Sequence, residues 1–111
     1  MKIRINDHYK ITTSHDTSKS INILPQNILY HVNRMPGISV PCICKTYITD
    51  FPHNQFDYPS EVATYLSKEH ENYWSGTCNI VEELIDTGQL LFIDGRLYNK
   101  DLNSVVGVKE A

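Results

Sequence analysis

The sequence lacks any long apolar stretch. Its longest uninterrupted run has four residues, Leu90 to Ile93, whereas a helix that crosses a membrane needs about 20. The N-terminus carries Lys2 and Arg4 where a secretion signal has its apolar segment. We therefore expect a cytoplasmic protein that has no membrane partner.

The short motifs of common enzyme classes are also missing. The sequence contains no P-loop, no Gly-x-Gly-x-x-Gly fingerprint, no His-Glu-x-x-His and no Gly-x-Ser-x-Gly. Ser14, His15 and Asp16 are the residue types of a catalytic triad, but direct neighbours in sequence do not easily form its hydrogen-bonded chain. We predict a non-enzymatic protein that needs no cofactor.

Cysteine is scarce, with only Cys42, Cys44 and Cys78. An odd number without a secretion signal favours reduced thiols. On a strand, Cys42 and Cys44 would share one side. That arrangement favours two small buried side chains, because a zinc site needs two more ligands and a wider cysteine spacing. We predict no metal site; a small metal-binding protein or enzyme that uses His70 and the cysteines is our second alternative.

Negative charge is scarce in the first half of the chain and abundant in the second. Residues 1–50 hold six Lys or Arg and three Asp, whereas residues 51–111 hold four Lys or Arg and ten Asp or Glu. The net charge is therefore +3 in the first half and −6 in the second. An uneven distribution of charge along the chain carries information about binding partners rather than about the fold. It fits either a solvated acidic helical face or an acidic surface that a basic partner contacts.

The first half has the patterns of a β-rich region. Residues 2–12 alternate on both sides of an Asn-Asp turn pair, which predicts a β-hairpin. Residues 20–32 hold two short apolar segments, of which the second fits either a strand or a helical turn. Residues 39–49 predict another strand, with Pro41 at an edge or a bulge near its start.

The second half has helical patterns. Pro59 suits the first turn of a helix whose apolar face we expect to comprise Val62, Tyr65, Leu66 and Tyr73. A second helix is predicted to begin near Ser75 or Thr77, both good caps, and to end at Gly88, a residue type that adopts the left-handed conformation easily. Two apolar segments then flank Asp-Gly, which predicts a tight type I′ hairpin over residues 89–99.

Together these patterns predict one α+β domain over residues 1–111. It would comprise an N-terminal antiparallel β region (1–50), two helices and a C-terminal β-hairpin (57–99), and a polar tail (100–111). Whether the two β regions form one sheet is left open, as is the oligomeric state.

Residues 58–99 resemble part of a winged-helix module. A helix over residues 61–66 precedes a helix with an apolar stripe over residues 77–87, and a glycine and a two-stranded wing follow. The resemblance implies a DNA-binding transcriptional regulator whose second helix reads the duplex. That helix is acidic and lacks Lys and Arg, so it would repel phosphates. Direct nucleic-acid binding, through Arg96 and Lys100 beside the wing, is therefore our first alternative.

Residues 2–13 look like the opening of small phage and prophage accessory proteins, in which a short strand, an Asn-Asp turn and a second strand come first. The resemblance implies a bacterial host cell. It also implies a protein that binds and blocks a host factor, as anti-CRISPR proteins do with effector nucleases.

Our main hypothesis is a non-enzymatic protein-binding module, a phage-encoded inhibitor of a host nucleic-acid-processing protein. Carboxylates on the helical face would take the place of phosphates on the basic partner. Trp74 would serve as an apolar anchor, because tryptophan is enriched at interface hot spots. We expect reversal of Glu82 and Glu83 together to abolish binding and to leave thermal stability nearly unchanged. The predicted partner-binding residues are Glu69, Glu71, Trp74, Glu82, Glu83 and Asp86.

Overall fold

A computed structural model describes residues 4–9, 11–12, 21–53 and 64–100. The elements follow in the order α1 (Ile5–Tyr9), β1 (Ile11–Thr12), α2 (Pro25–Arg34), β2 (Ile38–Ser39), α3 (Val40–Tyr47), β3 (Thr64–Tyr65), α4 (Lys68–Asp86), β4 (Leu90–Ile93) and β5 (Arg96–Asn99). The predicted α+β class is confirmed. Among the described residues, no helix combines the length and the apolar character that a membrane crossing requires.

The C-terminal hairpin of β4 and β5 is confirmed. Asp94 and Gly95 both have positive φ, 51° and 79°, as a two-residue type I′ turn requires. The register opposes Ile93 to Arg96 and Phe92 to Leu97. β2 joins the other side of β5, so the sheet has the order β2-β5-β4 and is antiparallel throughout. A second, parallel pair of β1 and β3 forms a separate sheet.

The predicted N-terminal hairpin is wrong where the structure describes it, because Ile5–Tyr9 is helical. Tertiary contacts hold this helix in place. The N–H of Ile5 donates to Oε2 of Glu82 at 2.9 Å, and the indole Nε1–H of Trp74 donates to Oδ1 of Asn6 at 2.6 Å. Such contacts override the weak preference of an alternating pattern for a strand. The first three residues of the chain lie outside the described ranges.

The strand predicted over residues 39–49 is also wrong, since Val40–Tyr47 forms α3. The hydroxyl of Ser39 accepts a hydrogen bond from the N–H of Cys42 at 3.3 Å and caps the helix. Pro41 lies in the first turn, where its missing N–H costs nothing. In the segment before it, the helical option for residues 27–32 is confirmed by α2, which begins at Pro25.

The two predicted helices are replaced by one long helix, α4, and by a strand at Thr64–Tyr65. The cap is Ser67, whose hydroxyl accepts from the N–H of His70 at 3.2 Å. Thr77 is fully buried inside the helix, so the position read as a cap faces the core instead. The end at Gly88 is confirmed by its φ of 83°. Residues 54–63 and the tail beyond residue 100 lie outside the described part of the chain.

The core surrounds the inner side of α4. Gly76 of this helix faces the backbone of Ile21, whose N–H donates to the carbonyl of Asn72 at 3.1 Å. A Cβ at position 76 would collide with the carbonyl oxygen of Ile21. The side chains buried around α4 come from every larger element and include Ile28, Val32, Ile43, Trp74, Val81, Leu84, Leu90 and Leu97.

Candidate protein-binding face of the long helix

Four polar residues form one outward face on the C-terminal half of α4: Asn79, Glu82, Glu83 and Asp86, which we call the acidic face. Their spacing of three, four and seven places them on one side of the helix. They line an open depression of about 280 Å³. The apolar side chains of Cys78, Val81 and Leu84 occupy the opposite, buried side. Helix periodicity thus places the three carboxylates on one side of α4, with Glu83 and Asp86 exposed to solvent.

No basic side chain neutralises the acidic face within the described ranges. Among the described residues, the ion pair that does form joins Nε2 of His70 to Oδ1 of Asp50 at 3.2 Å. It lies near the N-terminal end of α4, away from the acidic face. Glu83 and Asp86 are exposed. The last turn of α4 contains no basic residue. Among the residues that the structure describes, no cation therefore offsets the charge of Glu83 and Asp86.

Glu82 differs from its two acidic neighbours because the fold uses it. Its Oε2 accepts the N–H of Ile5, the first residue of α1, at 2.9 Å. Ile5 is fully buried, so this carboxylate supplies a partner that water does not readily replace. The expectation that reversal of Glu82 leaves stability unchanged is therefore corrected. Glu83 and Asp86 are the residues on which binding can be tested separately from folding.

Glu69 and Glu71, predicted to share the binding surface, lie elsewhere. They are in the first turn of α4, and about 21 Å of helix separates Glu69 from Glu83 at 1.5 Å per residue. Residues two apart in a helix do not face each other. Both carboxylates lie beside the positive end of the helix dipole, which they stabilise. A role in the fold explains their position, and they are not part of the acidic face.

Trp74 is not an exposed anchor, and that prediction is wrong. Its side chain has no exposed surface. It stacks on Phe51 with ring centres 5.9 Å apart, meets Tyr9 edge to face at 5.6 Å, and donates its N–H to Asn6. A buried indole with a satisfied N–H is a core residue. The signal was present in the sequence: Trp74, Cys78 and Val81 follow helical spacing on the apolar side of one helix.

The alternative nucleic-acid residues are at the hairpin. Arg96 is exposed and donates from Nη1 to the carbonyl of Gly37 at 3.2 Å. Lys100 is exposed too, and its Nζ lies 3.9 Å from where a Cβ of Gly88 would be. The helix that the winged-helix resemblance assigns to the duplex is the C-terminal half of α4, which carries the acidic face.

The cysteines are buried to different extents on two packed helices. On α3, Cys42 and Cys44 do not share a side as they would on a strand, and only Cys44 is fully buried. Burial raises the pKa of Cys44 to about 12 and raises the pKa of Cys78 well above its usual value. Both thiols therefore stay protonated at neutral pH, a poor state for a nucleophile or a ligand. Within the described residues, no three His, Cys, Asp or Glu side chains are placed to hold a metal.

Comparisons with known proteins give no match: no family model, no curated protein and no solved structure is significantly similar to this chain.

Proposed function

We propose that this chain is a protein-binding module whose acidic face contacts a basic surface on another protein. The single observation that carries the proposal is the pair of exposed carboxylates in the last turn of α4, Glu83 and Asp86, in a turn that contains no basic residue. The negative end of the helix dipole opposes charges of this sign. Helix stability does not account for them, whereas a partner that supplies the missing positive charge does.

The chemistry of the face indicates the kind of partner. Three carboxylates around one depression complement a cluster of Lys and Arg, such as the cleft in which a nucleic-acid-binding protein holds phosphates. Attraction of this kind accelerates association and weakens as salt screens it. We therefore expect a partner whose binding is fast and salt-dependent.

In its narrower form, the proposal makes the partner a nucleic-acid-processing protein in the cytoplasm of a bacterial host, and this chain a phage-encoded, anti-CRISPR-like inhibitor. The charge of the acidic face supports this form. The opening of the chain does not add support, because α1 stands where the phage resemblance requires a strand, a turn and a second strand.

The test is capture of bacterial proteins by the whole chain, compared with two charge variants. Glu83→Lys with Asp86→Lys reverses the acidic face and leaves the bond from Glu82 to Ile5 intact. Asp7→Lys with Glu69→Lys changes the net charge equally at exposed acidic positions outside the face. We expect a basic partner to be retained by the native chain and the second variant, and its affinity to fall at least tenfold for the first.

Two results would contradict the proposal. One is a partner that binds the Glu83→Lys, Asp86→Lys variant as tightly as the native chain. The other is a salt-dependent mobility shift of bare DNA that disappears in an Arg96→Ala, Lys100→Ala variant, which would favour the winged-helix alternative. Melting temperatures of all variants establish that folding is retained.

A further inference from the structure

α2 has an exposed polar face on the side turned away from the core. On its inner side, Ile28 and Val32 are fully buried. Its outer side holds Tyr30 and the exposed residues three or four positions before and after it, which we call the α2 face: Gln26, Asn27, Tyr30, Asn33 and Arg34. These side chains are three amides, one aromatic ring and one guanidinium group. The α2 face is therefore rich in hydrogen-bonding groups and has neither an aliphatic nor an acidic side chain.

Tyr30, at the centre of the α2 face, exposes an aromatic ring to solvent. Its exposed fraction is 58%. The ring meets that of His31 edge to face, with 5.7 Å between the ring centres. His31 in turn meets Tyr47 of α3 at 5.7 Å, and its Nε2 lies 3.5 Å from Oγ1 of Thr46. The packing of α2 beside α3 thus holds the neighbour of Tyr30, while Tyr30 keeps more than half of its own surface free for a planar ligand.

The charge around the α2 face is positive. Residues 21–49 contain Arg34 and Lys45 and no Asp or Glu. Both cations are exposed, and within the described ranges neither forms an ion pair. Burial, and then the charge of Arg34, lower the pKa of His31. A surface whose cations have no carboxylate beside them in the sequence attracts a polyanion.

The side chains of the α2 face favour a single-stranded nucleic acid over an acidic protein. The centre of a protein interface is apolar, and Tyr30 is the one apolar contribution that this face makes. Amides hydrogen-bond to base edges, and a guanidinium group pairs with phosphate. An exposed aromatic ring stacks on a base that is not already stacked inside a duplex. All three kinds of group lie together on one helix of ten residues.

We propose that the α2 face binds single-stranded nucleic acid. One base stacks on Tyr30, a neighbouring phosphate pairs with Arg34, and the amides of Asn27 and Asn33 contact base edges. Lys45, exposed on α3, adds to the attraction at longer range. The site uses neither Glu83 nor Asp86 and is tested without a partner protein, so its failure is distinguishable from failure of the acidic-face proposal.

The test is fluorescence anisotropy of dye-labelled oligonucleotides titrated with the whole chain at low salt. The probes are single strands of DNA and of RNA of about 12 nucleotides, within the range of known site sizes, and the DNA duplex of the same sequence. We expect both single strands to bind and the duplex to bind at least tenfold more weakly. Added salt should weaken the binding of each strand.

Substitutions at Tyr30 measure the stacking. Tyr30→Ala should weaken binding of both single strands about tenfold, because a stacked base contributes an effect of that order. Tyr30→Phe keeps the ring and should bind as the native chain does. Since Tyr30 is exposed, both variants are expected to fold, and their melting temperatures check this.

Two matched arginine variants measure the phosphate contact. Arg34→Ala should lower the affinity at low salt and reduce the slope of log affinity against log salt by about 0.7, the value for one phosphate of a single strand. Arg96→Ala removes an equally exposed arginine from the hairpin and should leave both quantities unchanged. This control separates the α2 face from the nucleic-acid residues of the winged-helix alternative.

Four results would overturn the proposal. The first is the absence of binding by either single strand at low salt, and the second is equal affinity of the native chain and Tyr30→Ala. The third is a duplex that binds as tightly as the single strands. The fourth is labelled polyglutamate that binds as tightly as the oligonucleotides, which would make an acidic protein the occupant of the α2 face.

Discussion

The two ends of α4 carry the same kind of side chain under opposite conditions. At the first turn, Glu69 and Glu71 meet the positive end of the helix dipole, a stabilising arrangement worth about 0.3–1 kcal/mol each at low salt. At the last turn, Glu83 and Asp86 meet the negative end, where the same interaction destabilises. By amino-acid composition alone, α4 is a uniformly acidic helix, and its two ends cannot be distinguished. The comparison shows that the carboxylates of the first turn stabilise the helix, whereas Glu83 and Asp86 in the last turn do not.

The largest effect is expected from Trp74, which tests whether the first half of α4 is structural. Trp74→Ala removes a fully buried indole from its contacts with Phe51 and Tyr9. We expect the free energy of unfolding to fall by about 3–5 kcal/mol, measured by urea denaturation. Tyr30→Ala, at a tyrosine that is 58% exposed, changes stability by less than about 0.5 kcal/mol. A loss below 1 kcal/mol at Trp74 would contradict the conclusion that its indole stabilises the core.

An intermediate effect is expected at Glu82, the one carboxylate of the second half of α4 that makes a hydrogen bond to another element. Glu82→Ala leaves the buried N–H of Ile5 without its acceptor. We expect a loss of about 1–3 kcal/mol in the free energy of unfolding. Glu82→Gln keeps an oxygen that accepts the same bond and should retain most of the stability. Equal losses in the two variants would mean that charge, rather than the hydrogen bond, holds α1 in place.

The smallest expected effect is a change in the free energy of unfolding that has opposite signs at the two ends of α4. Glu69→Gln should lower the free energy of unfolding by about 0.3–1 kcal/mol, and Asp86→Asn should raise it by a similar amount, because the dipole favours one carboxylate and opposes the other. Both changes should shrink as added salt screens them. The comparison between the ends fails when both substitutions shift stability in the same direction.

Local chemistry made part of the fold predictable. The Asp-Gly turn and Gly88 each need a positive φ that few other residues adopt, so the hairpin and the end of α4 could be predicted before the structure. The charge asymmetry between the two halves of the chain, which includes Glu82, Glu83 and Asp86, can likewise be read from the sequence alone. These signals depend on a few neighbouring residues and are insensitive to the rest of the molecule.

The segments whose secondary structure was predicted wrongly are those whose conformation depends on tertiary contacts. Residues 40–47 contain Val, Ile, Thr and Tyr, which favour strands, yet Ser39 and Pro41 begin a helix that packs against α4. Ile5–Tyr9 is helical because Glu82 and Trp74, far along the chain, hold it. Splitting α4 at Ser75 hid the helical spacing that places Trp74 in the core. A continuous helix over residues 68–86 would have separated its inner and outer faces correctly.

At Gly76, the backbone of Ile21 crosses α4 in direct contact, and this contact fixes the position of the Ile21 segment along the helix axis. Position 76 holds the only glycine in α4, so it is the one level of the helix at which another backbone can approach the helix axis this closely. The Ile21 segment is thereby placed along α4 to within a single residue. The absence of a side chain at Gly76, rather than an attractive side-chain contact, therefore determines at which level along α4 the segment that leads into α2 crosses the helix.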